Sequence, residues 1–266
     1  MNTKVLNHFL NRELGLEFVL YFRAVILPDF KQPNLNSTAV MIFARSGEKD
    51  AANKNLTNTG ALFDELTKHT IHTVKQTGLP YFLVDETLQE GSNFGQRYTN
   101  AIKRVFQLGF DNVITVGNDT PQLSVQHLNS AVQNLTQGDS TVGPSQDGGF
   151  YLLGLSSSAF AKATEKEFLK IKWQSSQTKE DLLSLLSKNG DHPILLEVLI
   201  DIDTKTDARV ILKESLELPK TIIQLLLLAI KSSVPCNSKP QHCYDEAFIF
   251  LPLNKGSPRV SYPFSY

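Results

Sequence analysis

The sequence predicts an α/β protein with a largely parallel sheet, and three observations carry that expectation. Compact apolar runs of strand length alternate with stretches of helical periodicity from about residue 38 to about residue 212. Short polar or glycine-containing loops join them, as βαβ units require. Acidic residues then fall beside the strand-like runs, at Asp119, Asp147 and Asp203. Ligands of open α/β sheets sit at the carboxyl ends of strands.

Thr38 to Ala44, TAVMIFA, is the first strand, and RSGEKDAANKN after it is a polar, glycine-containing loop. Gly60 to Gln76 has helical spacing, with Leu62, Phe63, Leu66, Thr70 and Val74 as its buried stripe. A strand at Pro80 to Val84, a helix at Phe94 to Leu108 and a strand at Asn112 to Val116 follow. Ser124 is a good N-cap for a helix ending near Leu135. Short strands fit Ser140 to Gly143 and Phe150 to Leu153, and the sheet can turn mixed near Phe150. Thr178 to Leu186 is helical in pattern, Ile194 to Ile200 is an apolar strand, and Thr204 can cap a helix from Lys205 to about Leu212. After Pro219 come a short oily helix, a loop rich in Pro and Ser, and AFIFLPL as a late strand. Residues 1–37 form an N-terminal appendage whose apolar segment LEFVLYFRAVILPDF suits a helix or an edge strand.

Composition narrows the function classes. The chain of 266 residues is 41% apolar and 20% charged, ordinary for one soluble globular domain. Its 26 basic and 27 acidic side chains nearly cancel, and no basic stripe marks a nucleic-acid partner. The start lacks the uninterrupted apolar core of a signal peptide, and the run Ile222 to Ile230 is too short to span a bilayer. The expected location is cytoplasmic. Cys236 and Cys243 have six residues between them, a spacing unlike a zinc site and without a second pair. Structural or surface cysteines are the expectation ahead of a disulfide.

Asp119 lies in VGNDTP, just past a strand, where Gly117 allows close approach and Pro121 holds Thr120 extended. It suits a metal or a nucleotide hydroxyl, and it equally suits a turn cap. Asp147, Gly148 and Gly149 carry the same two readings, because two glycines admit a ligand to the backbone and also make a hairpin. Asp201 and Asp203 share a face if the strand continues through them. Asp203 can instead cap the next helix, while Asp207 suits that helix's first turn. His69, His72, His127 and His192 fall at positions expected to be exposed on helices or loops.

VGNDTPQLS, GPSQDGGFYLLGL, GSNFGQR, the KIKWQSS segment and LIDIDTKTDA occur in an order that resembles a bacterial family of glycosyltransferase-like proteins. That family is similar to the 2-phospho-lactate guanylyltransferases and the molybdenum-cofactor guanylyltransferases. The resemblance covers roughly Thr38 to Leu212. It implies a three-layer sandwich with a mostly parallel mixed sheet, the nucleotide-diphospho-sugar transferase fold of type A. The domain would be residues 38–218, with 219–266 as its C-terminal extension covering a sheet edge or making a homodimer contact. By the same resemblance, Asp119 and Asp203 hold Mg2+ or Mn2+, and Asp147, Gly148 and Gly149 lie against the substrate or sugar. Gly95 and Arg97 help to form the nucleotide pocket, Arg97 by pairing with phosphate.

The family's first loop carries a lysine, a proline, a glycine and then a Lys-Thr-Arg-Leu run that would clamp phosphates. Here Arg45 replaces the first lysine, Gly47 stands at the proline position and Asp50 at the glycine position. Asn53 and Asn55 fall at the basic positions with Lys54 between them, and asparagine cannot reproduce arginine's charged fork. Lys49 or Lys54 can substitute if the loop shifts. Two functions follow. One is a metal-dependent transferase acting on a nucleotide sugar or nucleoside triphosphate with a small-molecule acceptor. The other is a degenerate module that binds nucleotide or protein. An active site requires Asp119, Asp203 and at least one cation facing one cleft.

Overall fold

The structure, a computed structural model, describes residues 37–54, 59–163, 165–214 and 218–231, with Asn53 and Glu165 described by their backbones alone. The expected N-terminal appendage (all but its last residue), Asn55, both cysteines and the expected strand AFIFLPL lie outside the described residues.

Six strands form one sheet in the order β2-β1-β3-β5-β4-β6. They are β1 Thr38–Phe43, β2 Tyr81–Val84, β3 Asn112–Val116, β4 Thr141–Pro144, β5 Phe150–Ser156 and β6 Ile194–Leu195. β1 pairs parallel with β2 and β3, and β4 with β6, whereas β5 runs antiparallel to both β3 and β4. The mixed character therefore arises at Phe150, where the sequence allowed for it.

Alternation along β1 explains the layers. Ala39 and Met41 point into one core cluster and Val40 and Ile42 into another, all four with no exposure. Helices α3 (Phe94–Gln107) and α7 (Thr178–Lys188) contribute to the first cluster. Helices α2 (Gly60–Lys75) and α4 (Val125–Gln137) contribute to the second. The whole predicted stripe of α2 is buried, including Leu62, Phe63, Leu66, Thr70 and Val74. A third cluster joins α2 to α1 (Gly47–Asn53), α8 (Lys205–Glu214) and α9 (Lys220–Lys231), through Ala51, Phe63, Ile211 and Leu226 among others. Two short helices, α5 (Ser157–Lys162) and α6 (Glu165–Phe168), follow β5. No helix among the described residues is long and apolar enough to cross a membrane.

Three expectations are corrected. The loop RSGEKDAANKN contains the helix α1, with Glu48 and Asp50 in its first turn, where carboxylates favour helix formation. Gly47 is what lets it dock: a Cβ there would stand 2.0 Å from the Gly60 carbonyl oxygen. The strand expected at Ile194 to Ile200 is paired only at Ile194–Leu195, with an isolated bridge from Leu199 to Ser145. It lies at the sheet edge, and Ile194, Leu195 and Val198 are exposed. His127 is buried, not exposed. Its Nδ1 closes the capping box with Ser124, and its Nε2 lies 2.6 Å from Glu197 Oε1.

Candidate active site

A cleft of about 400 Å³ opens along the carboxyl edge of β1, β3 and β4. Because β5 is reversed, its first residue, Phe150, reaches the same edge. The β3 end supplies Gly117, Asn118 and Asp119. A Cβ at Gly117 would stand 2.9 Å from Asp119 Oδ1, so the glycine makes room for that carboxylate. The late acidic segment is tied to this loop. Ile202 donates its N–H to the Asp119 carbonyl (2.9 Å), Ile200 donates to Gln122 Oε1 (3.1 Å), and Thr120 donates its hydroxyl to Asp201. Those bonds set Asp201 and Asp203 beside Asp119, which no spacing in the sequence could reveal.

Lys54 sits at the centre. Its ammonium lies 2.5 Å from Asp119 Oδ2, 2.7 Å from Asp203 Oδ1 and 2.9 Å from the Ile202 carbonyl oxygen. Burial works against its charge, but Asp119 and Asp203 outweigh that and hold its pKa well above the ordinary lysine value. Asp50, buried at α1, has its pKa raised by burial and secondarily by Asp119, although Asn118 donates to it at 3.0 Å. Asp201 is pushed up to about 8 by burial and by the nearby Asp119 charge, against the hydrogen bond from Thr120. Asp207 settles in the capping role, accepting from the N–H groups of Asp203 (3.1 Å) and Thr204 (2.6 Å).

Asp147 serves its own turn and the cleft together. One oxygen accepts from the Gly149 N–H at 2.9 Å and from the Ser145 hydroxyl, while the residue lines the cavity. Of the residues singled out in the sequence, Asp119, Asp147, Asp203, Arg45, Lys54 and Gly149 line the cleft. Gly148, Gly95 and Arg97 do not. Gly148 adopts φ +91° and passes so close to Ser176 that a Cβ would stand 2.2 Å from its carbonyl oxygen. Arg97 has its pKa lowered by partial burial and then by the like charge of Arg45.

Gly95 acts through a neighbour. A Cβ there would stand 2.5 Å from Trp173 Cδ1. With Gly95 as it is, the indole packs beside Phe94, Tyr98 and Phe150 at centroid distances of 5.5, 5.2 and 6.2 Å, and its N–H donates to the Phe168 carbonyl at 2.9 Å. Phe43, Phe94, Tyr98, Phe150 and Trp173 make an aromatic wall to the cleft, completed by Gln174, Ser175 and Thr178. Gln174 has φ +58°, the one positive value among described non-glycine residues. In the sequence the segment around Trp173 carries no evident role, and Tyr98 gives no sign of being a site residue. Gly95 leaves room for the Trp173 ring, but a glycine in a sequence does not say what fills that room.

Comparison with known proteins agrees with this architecture. Residues 45–175 match the profile of a family described as uncharacterized protein conserved in bacteria (DUF2064). Among solved structures, a candidate nucleotide-diphospho-sugar transferase from Desulfovibrio desulfuricans G20 superposes with a TM-score of 0.62 at 18% identity. The match covers 73% of this chain and 96% of that one. The chain thus has the nucleotide-diphospho-sugar transferase fold. Rv0371c from Mycobacterium tuberculosis H37Rv, in complex with manganese, matches at 15% identity and TM-score 0.39, over 67% of this chain and 99% of that one. A CMP:2-keto-3-deoxy-manno-octonic acid synthetase complexed with CTP matches at 9% identity and TM-score 0.40, over 66% and 96%. Among curated proteins none matches the sequence.

Proposed function

We propose that the protein is a transferase acting on a nucleotide sugar or nucleoside triphosphate, with a divalent cation held by Asp119 and Asp203. The observation that supports it most is the meeting of an acidic end and an aromatic end in one cleft at the carboxyl edge of the sheet. Five aspartates (Asp50, Asp119, Asp147, Asp201 and Asp203) line the cleft against two basic residues, Arg45 and Lys54. A polyphosphate entering so acidic a cavity needs added positive charge. The oxygens of Asp119, Asp203 and Ile202 that converge on one point are hard donors, the type that suits Mg2+ or Mn2+. Among the described residues no group of three or more His, Cys, Asp and Glu forms a ready-made metal cage. The fit is therefore that of a two-carboxylate site whose remaining ligands come from water and phosphate, as magnesium favours.

When bound, the cation would neutralise charge on the leaving phosphates. Arg45, which forms no ion pair among the described residues, faces the same cleft and can pair with a phosphate. The aromatic wall takes a ring, of base or of sugar. Asp147 orients the acceptor hydroxyl, and Asp201, whose carboxyl burial pushes above the ordinary range, accepts from the Thr120 hydroxyl at the cleft wall. Attack at the α-phosphorus gives nucleotidyl transfer and attack at the sugar C1 gives glycosyl transfer.

Calorimetric titration with GTP, UTP, CTP, ATP and nucleotide sugars, with and without Mn2+, tests this reading. Metal-dependent binding of one ligand, lost in Asp119→Ala, supports it. Absence of binding across the panel favours the degenerate module. That second reading draws on one observation: Lys54 is engaged with carboxylates and does not stand ready as a phosphate clamp.

A further inference from the structure

We propose that the Lys54 ammonium is the resident cation of the Asp119–Asp203 site, and that a divalent ion enters there only by displacing it. The inference rests on the cation-binding part of the proposed function and adds a mechanism of exchange. Lys54 Nζ already lies within 2.9 Å of each of the three oxygens a hard cation would use. Its side chain is 14% exposed, so this is a seated group and not a surface contact. Two cations cannot share that point, because like charges a few ångströms apart repel strongly in a partly desolvated cleft.

Exchange is feasible on this chain. Lysine carries a compact charge on a flexible four-carbon stem, which can leave one set of oxygens for another. Asp203 is 42% exposed, which opens one side of the site to an incoming hydrated ion. The displaced ammonium belongs to a residue that lines the cleft, so it can meet phosphate there. One residue thus holds the carboxylates together before the ion arrives and supplies a phosphate contact afterwards.

The test is a titration with Mn2+ alone, followed by electron paramagnetic resonance, on wild type and Lys54→Met. Removal of the competitor is expected to lower the Kd for Mn2+ by about tenfold or more, since the ion then meets a vacated site instead of a rarely vacated one. Asp203→Asn added to Lys54→Met is expected to abolish the gain. Equal or weaker binding by Lys54→Met, no binding by either protein, or a gain that survives Asp203→Asn overturns the proposal. A second measurement needs no variant. Acetylation of Lys54, followed by mass spectrometry, should rise when Mn2+ is added to the wild type, and unchanged labelling at saturating Mn2+ overturns it. Nucleotide is absent throughout, so failure of the transferase reading shows separately, as absence of nucleotide binding by a protein that still exchanges Lys54 for Mn2+.

Discussion

The two ends of the cleft are built on opposite principles. The acidic end is assembled from four segments, which carry Lys54, Asp119, Asp147 and the pair Asp201 and Asp203. The ion pairs of Lys54, together with a few hydrogen bonds between the 119–122 and 200–202 stretches, hold it in place. The aromatic end is a packed unit in which Phe43, Phe94, Tyr98, Phe150 and Trp173 touch one another and continue into the core. A charge cluster can change partner without altering the fold. A packed wall can change only by repacking. The acidic end is accordingly suited to exchange and the aromatic end to fixed recognition.

The largest effect should come from unbalancing the acidic end. Without metal, Lys54→Met leaves Asp119 and Asp203 facing each other, and should cost roughly 2–3 kcal/mol. That is below the range for a fully buried pair, because Asp203 is 42% exposed. Urea unfolding measures it, and Mn2+ should restore part of the loss. Gly95→Ala attacks the other end. The new methyl overlaps the indole, and overpacking of this kind costs about 2 kcal/mol. Trp173 is the only tryptophan in the chain, so its fluorescence reports the displacement directly. An unchanged emission maximum would mean that the wall is softer than its packing implies.

Asp201 gives a smaller effect with a definite sign. Burial and the neighbouring Asp119 charge raise its folded pKa from the ordinary carboxylate value of 3.8 to about 8. Between those values the native protein keeps a proton that the unfolded chain has lost, so this group's contribution to stability declines as pH rises through the interval. Asp201→Asn removes the decline. Its thermal midpoint relative to wild type, in chelator, should be higher by about 3 °C near pH 8, corresponding to ~1 kcal/mol, with the gain shrinking toward pH 4. The smallest effect is Gln174→Gly. It relieves a left-handed backbone worth on the order of 1 kcal/mol, and added freedom of the unfolded chain offsets part of that. Calorimetry should show little change in stability. A larger change in ligand affinity would mark Gln174 as a reader of the ligand.

These ends also differ in how far they could be read from sequence. Asp119, Asp147 and Asp203 were legible as candidates because each lies beside a strand-like run, although a turn or cap role suited them equally. The β-strands of the centre were legible from their unbroken apolar runs, as in TAVMIFA and NVITV. The aromatic wall was hidden because Tyr98 and Phe94 share one helix turn while Trp173 arrives from a loop after β5, and nothing in the local pattern joins them. The position of Lys54 was hidden for another reason. Its loop contains the unforeseen α1, and that short helix sets where the ammonium points. The shortened β6 shows the limit of apolar runs as a signal, since an edge segment can be oily yet scarcely paired.

The reversal of β5 has a consequence for how this site can diversify. Asp147 and Gly149 sit in the turn of a β4–β5 hairpin whose ends are held by the pairing of Pro144 with Phe150. Adding or removing one residue there would either force a new bulge or slip the strand, exchanging its two faces. Loops after β1 and β3 lead into helices and escape that ruler. Related chains with altered acceptors should therefore vary in length on the β1 and β3 side, and by substitution alone at the hairpin.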